Sequence, residues 1–258
     1  MDIYRDSGNG AETLASIDMM WEKHQQGENS IFIQDLDFDN YAGAVVYASR
    51  TPLEEVNLDI SRSEYDFNVL RRSTGGSPVV LRPNDLAVTI SKSGSEDLLE
   101  NYIGPALIDS LERVGVEGEF EIKSGENRRA LWVDGKPISS FSSREKDSSY
   151  LSGVVFVDQF DVERISNMIN LRPGEEEYID QMPAVSDYSN DAEDLGEVLL
   201  EVLEGERKSL ANWMTRLEEK AETYSGEISD KSGSSHRGFC PVYRDDLKQF
   251  RYRLEDSQ

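Results

Sequence analysis

The chain has 258 residues and a formal net charge of −24, from 27 Lys and Arg against 51 Asp and Glu. Such a surface repels nucleic acids and anionic membranes, which excludes both classes of partner. With 37% hydrophobic residues, the chain can bury the core of one large domain, or of a domain of about 180 residues with an appendage.

The acidic composition also indicates an environment. Lysine, the strongly hydrated cation, is scarce beside arginine, and carboxylates are abundant. In molar salt, repulsion between like charges is screened over roughly 3 Å, so the composition predicts an acidic proteome and a halophilic source. An acidic docking surface for a basic partner is the alternative interpretation.

Localisation is predicted from what the sequence lacks. Cys240 is the single cysteine, which fits a reducing compartment. Residues 1–16 have neither the basic flank nor the apolar run of a signal peptide. No segment approaches the roughly 20 apolar residues that span a bilayer. We therefore expect a cytoplasmic protein.

The first predicted element is a helix over residues 11–27, where Leu14, Ile17, Met20 and Trp21 share one face and Gly27 can end it. Residues 30–38 and 41–48 then have the pattern of strands. Three further strand-like runs follow within residues 67–91, separated by a Gly-Gly turn and by the residues RPND.

The acidic residues after the second predicted strand suggest calcium, but their spacing does not fit. Asp35, Asp37 and Asp39 alternate as in a calcium-binding loop. That loop needs Gly at its sixth position and Glu at its twelfth, where Asn40 and Val46 stand. No metal site is predicted.

The middle of the chain alternates a helix with strands. A helix is predicted over 96–114, with a kink at Pro105. Two strands surround the turn 124–127, and a tight Asp134-Gly135 turn leads into another strand. Residues 152–157 read as a buried strand and residues 160–169 as a short helix. Antiparallel strands with few helices predict an α+β fold, a sheet layered with helices.

Composition changes near residue 172, where a polar connector begins. A long helix is predicted over 192–223, although Gly196 and Gly205 weaken it, and a Ser/Gly-rich tail follows. We therefore predict a domain at 1–188 and an acidic helical C-terminal extension with a flexible tail at 189–258.

A short loop with two arginines and two glycines is the strongest candidate for ligand binding. Guanidinium groups and exposed backbone N–H groups occur together there, and both suit a carboxylate or a phosphate. A charged structural turn would have the same composition, so the loop alone leaves both interpretations open. Its residues are Arg71, Arg72, Ser73, Thr74, Gly75, Gly76 and Ser77.

Four segments, in this order, resemble the lipoate–protein ligase family within the biotin/lipoate protein ligase fold. They are EVN at 55–57, RRSTGG at 71–76, SGEN at 124–127 and VDGKPIS at 133–139. The resemblance covers about residues 11–187. It implies a class II synthetase-like mixed β-sheet packed with helices, which is an α+β fold.

The resemblance also implies an activity and a site. The family joins lipoate to ATP and passes the acyl group to a lysine of a carrier domain. We therefore expect ATP, Mg²⁺ and lipoate or another medium-chain acyl group as ligands, and a lipoyl-acceptor domain as partner. The residues expected to hold the acyl or adenylate group are Arg71, Arg72, Ser73, Thr74, Gly75 and Gly76, with Asn127 on the adenylate side.

Several positions depart from the family pattern. The third glycine of the loop, the Tyr-His-Asp after it, the final Asp of the Ser-Gly-Arg-Asn-Asp turn and the histidine of a His-Gly step are all replaced. The residues at these positions are Ser77, Leu81-Arg82-Pro83, Arg128 and Ser152.

The most consequential departure concerns the family's lysine. An ammonium aimed at the phosphate and carboxyl oxygens is the natural stabiliser of the charge that builds up there. Pro137 occupies that position, and proline has no donor. Lys136 would face away in a regular strand and inward only if the strand is bulged. Arg144 and Lys146 are further candidate cations.

Three functions are therefore compatible with the sequence. The first is an ATP-dependent lipoate–protein ligase in which Lys136 acts only if the strand is bulged. The second is a non-catalytic paralogue that binds lipoate, lipoylated domains or a partner ligase. The third, an acyltransferase, ranks lowest because related enzymes use a nucleophilic cysteine and Cys240 lies in the tail.

Overall fold

A computed structural model gives the architecture of this chain. It describes residues 1–38, 42–47, 67–71, 79–94, 97–125, 128–143, 149–159, 161, 163, 165, 167, 183–203, 205–208, 216–221, 228–229 and 235–236. The elements, in chain order, are β1 (Asp2–Gly8), α1 (Gly10–Gln25), β2 (Ser30–Leu36), β3 (Gly43–Tyr47), β4 (Phe67–Arg71), β5 (Val79–Leu81), β6 (Leu86–Ser91), a π-helical turn (Leu99–Ile103), α2 (Gly104–Arg113), β7 (Phe120–Gly125), β8 (Arg128–Val133), β9 (Lys136–Pro137), β10 (Ser139–Ser143), β11 (Tyr150–Val155), two 3-10 turns (Val185–Asp187 and Ala192–Asp194), α3 (Leu195–Val202), β12 (Glu206–Arg207), β13 (Ile228–Ser229) and β14 (Ser235–His236).

Two sheets dominate the described part of the chain. The larger has nine described strands in the order β12-β1-β2-β6-β11-β10-β8-β7, and β9 pairs with β8. Strand β1 runs parallel to β2 and β12, and the other pairs in this sheet are antiparallel. The smaller sheet has the order β4-β3-β5, with β3 and β4 parallel. This mixed architecture confirms the predicted α+β class.

Helix α1 begins where its sequence contains a capping box. The Asn9 side chain accepts hydrogen bonds from the backbone N–H groups of Ala11 and Glu12, and the Glu12 carboxylate accepts one from the Asn9 N–H. These contacts satisfy N–H groups that have no partner within the helix. The basic residues Lys23 and His24 lie in the last turn, where positive charge interacts favourably with the helix dipole. The helix predicted over 11–27 is confirmed.

The larger sheet buries a separate core on each face, because side chains alternate along a strand. One face, here called the α2/α3 face, packs against both of those helices; its sheet residues include Ile31, Ile33, Val88, Ile90, Leu131 and Val133. The opposite face, here called the α1 face, packs against α1 and the smaller sheet; its residues include Tyr4, Phe32, Ala87, Tyr150 and Val154.

The helix predicted over 96–114 is interrupted, but not by a simple kink at Pro105. A π-helical turn ends at Ile103, and α2 begins at Gly104 with Pro105 in its first turn. Proline suits that position because the first N–H groups of a helix lack internal partners. A Cβ on Gly104 would lie 2.6 Å from Ile122 Cδ1, so glycine lets the helix approach β7 closely.

The single helix predicted over 192–223 is wrong. Helix α3 ends at Val202, and Leu203 is already extended, with ψ 125°. A Cβ on Gly205 would lie 2.6 Å from the Met1 carbonyl oxygen, and the next two residues pair with β1. Close packing against β1 thus overrides the helical pattern. Residues 216–221 are helical again.

Helix α3 packs on the larger sheet. Leu195, Leu199 and Leu203 belong to the core of the α2/α3 face. Arg5 on β1 contacts Asp35 at 2.9 Å and also pairs with Glu197 on α3. Among the helices that the structure describes, none has the length and apolar character required to span a membrane.

Candidate functional site

The smaller sheet flanks the predicted ligand loop. Arg71 ends β4 and pairs with Tyr47, and Val79 begins β5 opposite Val46. The loop therefore connects the two outer strands of this sheet. The Arg71 side chain lies outside the described residues, as do Arg72, Ser73, Thr74, Gly75 and Gly76.

The end of β4 lies beside the beginning of α1. A Cβ on Gly10 would lie 2.7 Å from Leu70 Cδ1 and 2.9 Å from Ala44 Cβ. A larger residue at position 10 would push the smaller sheet away from the helix. Gly10 therefore sets the position from which the predicted ligand loop leaves β4.

A buried ion pair joins the two sheets. Arg82 follows β5, Asp85 precedes β6, and the Asp85 side chain is fully buried. The guanidinium donates through Nη2 at 2.7 Å and Nε at 3.1 Å, and the carboxylate also accepts from the Val157 N–H at 3.0 Å. Arg82 Nη1 donates to the Gln159 carbonyl oxygen at 2.7 Å. The pair thereby holds the connection between the sheets against residues 157–159.

Burial and pairing act on Asp85 in opposite directions. Burial raises the pKa of Asp85 to about 6, although the Arg82 guanidinium and the two backbone N–H groups favour the ionised form. The carboxylate is therefore charged at neutral pH, opposite the charged guanidinium. In the sequence, Arg82 stands out only as a departure from a family motif. The residue order Pro-Asn-Asp before a strand is a turn signal that pointed to this connection.

The hairpin of β7 and β8 places the predicted adenylate turn at one end of the larger sheet. Ser124 pairs with Arg129 and Gly125 with Arg128, so two residues connect the strands. Asn127 is one of them and lies outside the described residues. The two strands predicted around this turn are confirmed.

Lys136 and Pro137 lie on opposite faces of the larger sheet. Lys136 pairs with Val133, whose side chain is in the core of the α2/α3 face, and Lys136 is exposed. Pro137 pairs with Trp132 and is buried. Directly paired residues share a face. Trp132 lies between Leu131 and Val133 on β8, so its side chain is on the face opposite to theirs. Pro137 therefore belongs to the α1 face and Lys136 to the other.

A bulge is present in this region, but it follows Pro137. The Ile138 N–H still donates to the Leu131 carbonyl oxygen at 2.9 Å, and the next pair joins Phe141 to Arg129. Three residues on one strand thus oppose two on β8, and the Ser139 hydroxyl accepts from the Leu131 N–H. The bulge brings Ile138 and Phe141 into the same core. It does not turn Lys136 inward.

Two further cations were predicted from the sequence, Arg144 and Lys146. Both lie outside the described residues. Within the described part of the chain, no group of three or more His, Cys, Asp or Glu side chains could hold a metal ion.

Gln34 is a buried polar residue that was not predicted from the sequence. It lies on β2 between Phe32 and Leu36, which are in the core of the α1 face. Gln34 is fully buried, and among the described residues neither atom of its amide has a hydrogen-bond partner. A Cβ on Gly8 would collide with its amide nitrogen. A glutamine within a β-branched and aromatic strand is the signal that could have identified it.

We expect the Gln34→Met variant to be more stable than the native protein by about 1 to 3 kcal/mol. An unpartnered buried amide costs roughly that much, and methionine has a similar length without the polar atoms. Denaturant titration of both proteins measures the difference. Gln25, exposed on α1, provides the control, since Gln25→Met should change stability by less than about 0.5 kcal/mol. A destabilised Gln34→Met variant would show that the amide has a structural partner.

Most of this chain matches a known protein family. The model of the lipoyl protein ligase A/B catalytic domain matches residues 11–201, which include most of the larger sheet and all but the last residue of α3. A search of curated protein sequences gave no match.

Solved structures share the fold at low sequence identity. A protein of Thermoplasma acidophilum described as a lipoate protein ligase, with lipoic acid bound, has a TM-score of 0.63 at 15% identity and covers 86% of this chain and 92% of its own. A bipartite lipoate protein ligase of T. acidophilum, studied with its E2 lipoyl domain, scores 0.62 at 16% identity, covering 86% and 90%. A lipoate-protein ligase A bound with ATP scores 0.59 at 16% identity, covering 86% and 92%. These similarities confirm the predicted lipoate ligase-like fold.

Proposed function

Because this chain belongs to the family of lipoyl protein ligase A/B catalytic domains, we propose that it attaches lipoate, or a related acyl group, to a lysine of a carrier domain and uses ATP to do so. The observation that carries the proposal is that the family match includes the strands on either side of the candidate ligand loop. The end of β4, from which the loop leaves the smaller sheet, lies beside the start of α1.

The ligands follow from the relatives. Related structures contain lipoic acid or ATP, and one belongs to a system with an E2 lipoyl domain. By similarity, we propose lipoate and ATP as substrates and a lipoyl domain as acceptor. We propose that Mg²⁺ would enter bound to the nucleotide phosphates.

The proposed reaction has two steps. A lipoate carboxylate oxygen attacks the α-phosphorus of ATP, and the bond to the β-phosphate breaks to release pyrophosphate. The acceptor lysine, as a neutral amine, then attacks the acyl carbonyl carbon; an amide forms, AMP leaves, and the amine proton passes to solvent. The first step concentrates negative charge on phosphate and carboxylate oxygens, which cationic groups must stabilise.

The loop residues have the chemistry for this task. Arg71 and Arg72 would hold the carboxylate and phosphate oxygens, because guanidinium groups donate two parallel hydrogen bonds to such anions. Ser73 and Thr74 add hydroxyl donors, and the flexible backbone at Gly75 and Gly76 permits a close approach to the ligand. We place Asn127 on the adenylate side of the same pocket.

One observation favours a second function. Pro137 offers no charge on the α1 face, and Lys136 is on the opposite face. A protein without a replacement cation would retain the fold and bind lipoate, lipoylated domains or a partner ligase without catalysis. This non-catalytic paralogue is the alternative to the ligase.

A ligation assay separates the two functions. We expect the purified protein, incubated in molar potassium chloride with ATP, Mg²⁺, lipoate and a lipoyl domain, to increase the acceptor's mass by one lipoyl group. A reaction without ATP is the control. Calorimetric binding of lipoate or of the lipoyl domain without any mass increase would reject the ligase and support the paralogue. The salt should keep this acidic chain folded, since its charges are then screened.

A further inference from the structure

Lys123 lies on the face of the sheet where Pro137 supplies no charge. We propose that the ammonium of Lys123 stabilises the negative charge that develops when the acyl group is adenylated. This role rests on the proposed ligase function and gives the reaction a cation from β7, on the far side of β8 from Pro137.

The strand pattern places Lys123 on the α1 face. Its neighbour Ile122 packs against the core of the α2/α3 face, so Lys123 projects to the other side. It pairs directly with Ala130, which shares that side with Trp132. Among the larger-sheet strand residues whose side chains the structure describes, Lys123 is the only cation on this face.

The Lys123 side chain also reaches over β8, the strand that pairs with Pro137. Its Nζ lies 3.7 Å from the centroid of the Trp132 ring, and Trp132 pairs with Pro137 in the next strand. Strand β8 lies between β7 and β9, and adjacent strands are about 4.8 Å apart. The ammonium therefore lies over the strand that separates Lys123 from Pro137. The aromatic ring attracts a cation placed over its face and limits where the ammonium can move.

The present partner of Lys123 does not prevent this role. Nζ lies 3.1 Å from a Glu121 carboxylate oxygen, with side-chain exposures of 37% and 58%. Exposed ion pairs contribute little and are screened by salt. A phosphate or carboxylate oxygen of a bound ligand would therefore compete effectively for the ammonium. The other lysine near this hairpin, Lys136, is on the opposite face.

In the proposed step Lys123 exchanges no proton. The carbon–oxygen–phosphorus linkage forms, the bond from the α-phosphorus to the leaving oxygen breaks, and pyrophosphate departs with the bonding electrons. The ammonium remains charged throughout and donates hydrogen bonds to the oxygens that gain negative charge. Losing a donor of this type typically lowers the rate by about 100- to 1,000-fold.

The test is lipoate-dependent exchange of pyrophosphate into ATP, which reports the adenylation step alone. We expect Lys123→Met to lower the exchange rate by about 100- to 1,000-fold while the calorimetric Kd for lipoate changes by less than about threefold, and Lys123→Arg to recover part of the rate. Lys92→Met is the matched control: Lys92 also lies over an aromatic ring, 5.1 Å from the centroid of Tyr102, but next to the core of the α2/α3 face.

The outcomes are distinguishable. Exchange by the native protein, with Lys123→Met within threefold of it, would overturn the role of Lys123 and leave the ligase proposal intact. A loss in Lys136→Met instead of Lys123→Met would overturn it equally. No exchange by a native protein that binds lipoate would reject the ligase function, and this inference with it. Because Lys123 is on an edge strand and partly exposed, Lys123→Met should retain the native circular dichroism spectrum.

Discussion

The Asp85→Asn variant is expected to lose about 3 to 5 kcal/mol of its free energy of unfolding. Asp85 accepts hydrogen bonds from Arg82 Nε, Arg82 Nη2 and the backbone N–H groups of Arg82 and Val157. An asparagine amide group would direct its own N–H donors at some of these donors and leave the buried guanidinium without a counter-charge. Breaking a buried pair by removing one partner has a cost of this size. Denaturant titration gives the value.

An exposed ion pair provides the control for this variant. Asp109 and Arg113 form the same two-point contact on α2, at 3.0 and 3.1 Å, but with side chains about half exposed. We expect Asp109→Asn to change stability by less than about 1 kcal/mol, and molar salt to reduce this effect further. An Asp85→Asn loss no larger than the Asp109→Asn loss would contradict the role assigned to the buried pair.

The Asp85→Asn variant should also bind lipoate more weakly. The pair holds the segment between β5 and β6, and β5 belongs to the sheet that flanks the proposed ligand loop. Loss of the pair should loosen the smaller sheet against the larger one before the whole domain unfolds. Calorimetry measures the change in the Kd for lipoate. The titration is done without denaturant and at low temperature, where the variant is folded. Unchanged affinity would separate the stability of the pair from the geometry of the site.

The Gly153→Ala variant is expected to be destabilised by about 3 kcal/mol, the upper end of typical overpacking costs. Gly153 lies in the middle of the larger sheet, paired with Phe141 on one side and Val88 on the other. An added Cβ would lie well inside 3.0 Å of both the Phe141 ring and the Ser140 carbonyl oxygen. The ring could move, but the carbonyl group could move only if the pairing of β10 with β11 is disturbed.

A second glycine separates the steric cost from the conformational one. Gly27 has a φ of +77°, and a Cβ there would meet nothing within 4 Å. Gly27→Ala should therefore cost only the left-handed conformation, roughly 1 to 2 kcal/mol. Thermal unfolding of the two variants compares the costs. If Gly153→Ala proves the milder substitution, the close contact with β10 does not restrict this position.

The close packing around Gly153 gives a structural reason for a glycine at this position. The resemblance to the family implies that Ser152-Gly153 stands at the position of its His-Gly step, with serine in place of the histidine. The contact with Phe141 and Ser140 explains the glycine without reference to catalysis. Ser152 is buried on the α1 face, where it pairs with Thr89.

The sequence by itself determined the local elements and the family. Helix α1, strands β2 to β8 and the Asp134-Gly135 turn were predictable because capping residues, alternation and turn residues act over a few positions. Both turn residues have positive φ, 50° and 74°, as a tight hairpin turn requires. The family was predictable for a related reason: its motifs are short segments whose order along the chain can be read directly.

The long-range features were decided by tertiary structure. The C-terminal helical pattern was overridden after Val202, because Gly205 lets the chain pack against Met1 and join the edge of β1. The partners of Asp85 and the burial of Gln34 depend on which strands become neighbours. No local pattern contains that information.

The proposed role of Lys123 likewise depends on which strands are neighbours. In the sequence, the lysine next to Pro137 is Lys136. Alternation places these two side chains on opposite faces, and the bulge that could have changed this follows them, at residues 138–140. Lys123 is distant in sequence but shares the α1 face with Trp132 and Pro137. Only the pairing of β7 with β8 and of β8 with β9 could bring them together, because side chains on one face of a sheet meet across strands and not along them.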